Sequence, residues 1–233
     1  MNRALYAAAT GMAAQQQNLD VIANNLANAD VIGFKSAQAT FAPLGPNAML
    51  GTASTGVREI FAQGKLEKSG GAFDVAIDGG AAFFAVERDG VRGYTRAGSF
   101  SRAADGSVRN AEGWALCGVR IPASAQSVTV APDGAVAGGA GRIELAAFVA
   151  PEKLRLVDAT VFIPTQESGL ARKAAAGGDR EPKIAFGMLE KSNVSIVESM
   201  MAILAAQRAY EANSKGVQAA DEMLRIANNI HRS

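Results

Sequence analysis

Apolar positions recur at helical spacing along residues 192–230, where Ile196, Ile203, Tyr210, Val217 and Leu224 stand seven apart. Val197, Met200 and Leu204 flank that row early, and Ala220, Met223, Ala227 and Ile230 flank it late. The pattern predicts one long helix, about 55 Å from end to end at about 1.5 Å per residue. Ser195, with Glu198 three residues on, reads as its capping box. A second row seven apart, Leu5, Met12, Leu19 and Leu26, with Ala8, Ile22 and Ala29 beside it, predicts a first helix over about residues 2–28. Two seams of one period at opposite ends of the chain predict a coiled-coil-like core of terminal helices, with the middle of the chain as an inserted domain. Periodicity alone fits a helical hairpin packed on that domain equally well.

The polar surface of the first helix is amide rather than charge, carried by Gln15, Gln16, Gln17, Asn18, Asn24, Asn25 and Asn28. Amides are cheaper to desolvate than ions, so this face is expected to pack against protein. After Asp30 the helical pattern stops. Pro43, Gly45, Pro46, Gly51 and Gly56 then argue for an extended connector over residues 31–72, pinned by Phe34 and Phe41.

Short apolar or alternating runs follow at 57–61, 74–77, 83–86, 127–130, 143–149 and 160–163. Asp-Gly pairs at 78–79, 89–90, 105–106 and 133–134 stand between them, with Glu112-Gly113 behaving similarly. Each pair tolerates the positive φ of a tight hairpin. The expected fold is α+β: a mainly antiparallel β middle domain, a small barrel or sandwich, between long N- and C-terminal helices. The expected domains are 1–30 with 190–233 as the helical part, 31–72 as connector and 73–189 as the β-rich part. Residues 168–182 are expected as an exposed loop, with Arg172, Lys173, Asp179, Arg180 and Glu181 among its charges.

Composition narrows the function. The formal net charge is +1, with 23 basic and 22 acidic residues spread along the chain, so no basic footprint points to nucleic acid or an anionic membrane. No stretch reaches the 18 or more apolar residues of a membrane span. Arg3 followed by residues 5–14 imitates a short cleaved signal, but Thr10 and Gly11 weaken the run and the seven-residue row continues past it; if the protein works outside the cytoplasm, it is expected to leave by a route that does not cut its N-terminus. Cys117 is the only cysteine and His231 the only histidine, which leaves no thiolate cluster, no histidine metal site and no Ser/His or Cys/His nucleophile system. Cys117, beside Trp114 and Leu116, is expected as a small buried apolar residue. The glycine pairs lack the lysine and helix of a phosphate loop and are expected as turns. No catalytic residues, cofactor or metal are expected.

Three stretches resemble the axial proteins of the bacterial flagellar rod and hook. The first is residues 7–34, with Asn24-Asn25-Leu26-Ala27-Asn28 and then Gly33-Phe34-Lys35. The second is residues 74–101, with Phe83-Phe84 and Tyr94-Thr95-Arg96-Ala97-Gly98-Ser99-Phe100, and the third is residues 187–224. Within the family, the Ala-Gln-Gln run and residues 207–224 are most similar to distal rod subunits, while Met1 to Tyr6 is similar to proximal ones. The chain departs from the family at Asp30, Val31 and Ile32, where serine or threonine is usual, and in a shorter connector at 44–56.

The resemblance implies a structural subunit that leaves by the flagellar export apparatus and self-associates into a helical tube transmitting torque from motor to hook. Its partners would be neighbouring rod and hook proteins and the ring bushings, with terminal helices inside the tube and the β domain outside. The expected assembly interface is Leu5, Met12, Leu19, Ile22, Asn24, Asn25, Leu26, Asn28 and Phe34, with Ile196, Met200, Ile203, Tyr210, Val217 and Leu224. Two other classes fit the residues: a soluble β-domain binding module with a private helical hairpin, and a periplasmic hydrolase using two carboxylates.

Overall fold

The structure is a computed structural model that describes residues 3–45, 51–125, 127–178 and 181–230. The expected helix start at Asn2, Pro46 of the connector, Asp179, Arg180 and His231 lie outside the described residues, as do the side chains of Ala227 and Ile230. The chain divides into two compact units. One holds Met1–Ala27, Ala37–Glu59 and Val194–Ser233; the other holds Asn28–Ser36 and Ile60–Asn193.

The first unit contains helix α1, Arg3–Ala27, the strands β1, Ala37–Pro43, and β2, Thr52–Glu59, and helix α2, Ile196–Ile230. Ser195 caps α2: its Oγ accepts the Glu198 N–H at 3.3 Å, and its carbonyl accepts the Ser199 N–H at 2.9 Å. A Cβ on Gly11 would lie 2.9 Å from Asn213 Nδ2 and one on Gly216 would lie 3.9 Å from Ala8 Cβ, so α1 and α2 run antiparallel.

The stretch expected as an extended connector carries regular structure. β1 and β2 pair antiparallel from Ala37↔Glu59 to Pro43↔Thr52, with a bulge opposite Thr40 and Phe41 that takes up the extra residue Thr55 of β2. Of the proline and glycine punctuation, Pro43 closes β1 and Gly56 lies within β2, and the Leu44 N–H reaches the Gly51 carbonyl at 2.8 Å between the strands. Phe41, on the far side of the bulge, is exposed, whereas Phe34 is buried.

In the second unit β3, Leu66–Lys68, and β4, Val75–Asp78, precede β5, Ala82–Arg88, which is central to its large sheet. Asp89 and Gly90, with φ of 52° and 78°, turn it tightly into β6, Val91–Thr95. The opposite edge of β5 is shared, Leu145–Ala147 pairing with its first half and Ala115–Arg120 with its second. The sheet runs from Arg155–Asp158 at one end to Ser101–Arg102 at the other without closing, so it is an open antiparallel sheet and not a barrel.

Both faces of β5 are covered, which is why Ala82 to Val86 reads as a continuous apolar run rather than an alternation. Phe84 and Val86 enter the larger core with Ile77, Trp114, Leu145 and Val161. Phe83 and Ala85 enter a second core with Tyr94, Phe148, Leu154 and Phe162. There Phe61 meets Phe83 edge-on at 5.2 Å and Phe162 at 5.1 Å. Cys117 packs half-buried against this core, and burial pushes its thiol pKa up, as for an inert sulfur.

Candidate assembly interface

The face of α2 that is covered within the chain is made of small residues. Ala206 and Ala220 are buried, Asn213 stands midway between them, and Ala202, Ala209 and Ser199 are half-buried on the same side. Small side chains let two helix backbones approach closely, and a Cβ on Gly11 of α1 would lie 2.9 Å from Asn213 Nδ2. Burial does not follow the seven-residue row of large residues read from the sequence. Ile203 and Val217 lie half-buried at its margin, while Ile196, Tyr210 and Leu224 are exposed.

Further large residues crowd the uncovered side. Val197, Met200, Met201 and Leu204 occupy one stripe at i, i+3, i+4 and i+7 and are 68%, 53%, 58% and 57% exposed. Met223 and Ile226 repeat the feature near the other end of the helix. Scattered exposed apolar residues are ordinary; a continuous stripe of them marks a contact surface.

On α1 the expected contact residues divide differently. Leu5, Met12, Leu19, Ile22 and Leu26 are all half-buried, with Ala14 buried among them. The hairpin is fastened to this helix at two places. Thr10 Oγ accepts the Thr52 N–H at 3.3 Å and donates to the Ala7 carbonyl at 2.9 Å. Asn25 donates to the Ala37 carbonyl at 2.7 Å and accepts the Ala37 N–H at 2.8 Å. Asn25, expected at the assembly interface, is thus buried and committed within its own chain. Asn24 is exposed and Asn28 half-buried.

Within the second unit lies a buried ionic cluster that no pattern in the residues announces. Lys35 Nζ donates to Glu190 Oε1 at 2.6 Å and to the Ala62 carbonyl at 2.8 Å. Arg96 donates to Glu190 Oε2 at 3.2 Å and to the Gly80 carbonyl at 2.6 Å. The side chains of all three are essentially inaccessible to solvent. Burial pulls the Lys35 and Arg96 pKa values below their ordinary ranges, and the Glu190 carboxylate opposes that pull in both.

Neighbouring backbone completes the arrangement. Gly33, at φ +70°, sits so close to Ala97 that a Cβ would lie 2.3 Å from its nitrogen, and its N–H reaches the Glu190 carbonyl at 2.7 Å. Asn193 ties two neighbouring segments together, accepting the Ser36 N–H at 2.7 Å and donating to the Ile60 carbonyl at 2.8 Å. Gly33-Phe34-Lys35, Arg96-Ala97 and Glu190 come from the three stretches that carry the flagellar resemblance, and they meet here.

Among the described residues no cluster of side chains could hold a metal ion, and no helix is long and apolar enough to cross a membrane. Three family models match the chain: the flagella basal body rod protein over residues 5–35, the D1 domain of the flagellar hook protein FlgE/F/G over 76–138, and the C-terminal region of the flagellar basal body rod FlgEFG protein over 186–230. The flagellar basal-body rod protein FlgG of Borreliella burgdorferi is 35% identical, with all of both chains covered. That of Agrobacterium fabrum is 36% identical over 96% of this chain and 97% of its own. The rod protein FlgF of Caulobacter vibrioides is 32% identical over 97% of each. With this similarity end to end, and with the matched segments joined through Lys35, Arg96 and Glu190, the chain belongs to the flagellar basal-body rod protein family.

Proposed function

We propose that this subunit polymerises into the helical tube of the flagellar rod through the uncovered side of α2, and that the tube carries torque from motor to hook across the periplasm. The observation that carries the reading is the stripe Val197, Met200, Met201 and Leu204, exposed in the single chain although each residue is large and apolar. A second copy is the occupant that fits, because family membership makes self-association and neighbouring rod and hook proteins the expected contacts. Covering each such side chain contributes about 1.5–3 kcal/mol.

On this reading the row Ile196, Ile203, Tyr210, Val217 and Leu224, with Met200 beside it, packs coiled-coil-like against helices of adjacent copies. Leu5, Met12, Leu19, Ile22 and Leu26 hold α1 against its own unit, and Asn24 and Asn28 meet neighbours. A head-to-tail contact that does not close on itself extends into a filament, and torsional stiffness follows from many such contacts in parallel. The helices α1 and α2 line the tube, with the β-rich part outside and the ring bushings around it. The subunit leaves through the flagellar export apparatus with its N-terminus uncut and takes the distal rod position, a reading supported by the relatives named FlgG. Electron cryomicroscopy of assembled filaments tests this. Density in which Leu204 and Met223 face solvent in the polymer would rule the arrangement out.

A further inference from the structure

Three of the seven methionines, Met200, Met201 and Met223, lie on the uncovered side of α2 and are 53%, 58% and 60% exposed. Met12 and Met188, by contrast, are half-buried. Exposed thioethers are the form of methionine that peroxide oxidises readily, and a sulfoxide in place of a thioether disrupts a methionine-rich contact. From this placement we propose that Met200, Met201 and Met223 form an oxidation site through which a peroxide blocks subunit assembly, reversibly and before the subunit enters the polymer. The proposal rests on the reading of α2 as the assembly surface.

The chemistry is a two-electron oxygen transfer. A sulfur lone pair attacks one oxygen of hydrogen peroxide, the O–O bond breaks, an S–O bond forms, and the departing hydroxide takes the proton from the transferred oxygen to leave as water. Sulfur is oxidised and peroxide reduced. The product carries a strong acceptor oxygen on a side chain that had none. Placed in an apolar contact without a donor, that oxygen opposes burial, and two adjacent residues, Met200 and Met201, present it together. In the polymer the same sulfurs are covered, so the site is open only in the free subunit.

The test uses the full chain. Purified protein is treated with hydrogen peroxide, sulfoxides are mapped by peptide mass spectrometry, and assembly is followed by sedimentation. Sulfoxide is expected at Met200, Met201 and Met223 ahead of Met12 and Met188, with the critical concentration for assembly raised about tenfold or more. A methionine sulfoxide reductase with a thiol reductant is expected to restore assembly of the oxidised wild type. The M200L/M201L/M223L variant, compared with its own untreated sample, is expected to lose no assembly on peroxide treatment. Oxidised wild type that sediments like untreated protein, or a triple variant that remains equally sensitive to peroxide, would overturn the proposal. Untreated Leu204→Asp separates the two ideas: if it assembles normally the α2 reading itself fails, whereas if it is blocked and peroxide has no effect only the oxidation site fails.

Discussion

Asn25 and Ala37 satisfy each other twice: one side-chain amide takes both the carbonyl and the N–H of one strand residue, at 2.7 Å and 2.8 Å. The helix side chain thus does what a neighbouring strand would do, and it does so where β1 begins. Asn25→Ala is expected to leave both Ala37 groups without their partner and to cost about 2–4 kcal/mol, read from the urea midpoint of the helical circular dichroism signal. Asn25→Asp keeps an acceptor but no donor and should fall between the two. A midpoint unchanged in the alanine variant would mean that the hairpin is held elsewhere.

The charges around Glu190 set up an asymmetry. Two cations share one carboxylate, and removing that carboxylate strands both of them in a dry interior. Glu190→Gln is expected to cost about 3–5 kcal/mol, while Lys35→Met, which leaves Arg96 and Glu190 paired, should cost clearly less. Trp114, the chain's one tryptophan and buried in the same unit, reports the unfolding by fluorescence. Equal losses in the two variants would contradict this account.

Small residues on α2 govern how near α1 can come. Ala206→Leu puts a branched side chain where 3% of the alanine is exposed, and should lower stability by about 1–3 kcal/mol. Met223→Leu, on the uncovered side, should change monomer stability by less than about 0.5 kcal/mol. Thermal unfolding of the two variants distinguishes a covered from an uncovered side.

Glu59, at the end of β2, is held by burial at a pKa of about 7 against an ordinary value of 4.5. The folded chain therefore binds this proton more tightly than the unfolded chain. The stability it contributes is fully present below about pH 4.5 and is lost as pH rises through about 7. The urea midpoint should be higher at about pH 5 than at about pH 8, and Glu59→Gln should flatten that difference. A slope retained in the glutamine variant would assign it to another group.

Parts of this architecture were readable from the residues alone. The length of α2 and its Ser195 cap follow from periodicity and a side-chain oxygen at the right offset. The β5–β6 hairpin follows from Asp89-Gly90 between two apolar runs. Other parts were not, for physical reasons. Large apolar residues seven apart show that α2 has a sticky side, but they do not say whether the chain or a neighbour covers it. The covered row, Ala206, Asn213 and Ala220, has the same period in residues too small to dominate a hydrophobic pattern. Lys35 reads as a surface charge until Glu190, far along the chain, is placed beside it. The hairpin at 37–59 was hidden because β2 carries the extra residue Thr55, whose bulge breaks the alternation that would have announced that strand.

Everything proposed for assembly requires that α2 present its large apolar stripe to other copies. Sedimentation of purified Leu204→Asp beside wild type tests it most directly, with Trp114 fluorescence confirming that the β-rich unit is folded. The account expects wild type to pellet as polymer and the folded variant to remain a soluble monomer at the same concentration. A folded variant that polymerises at the wild-type yield would contradict it.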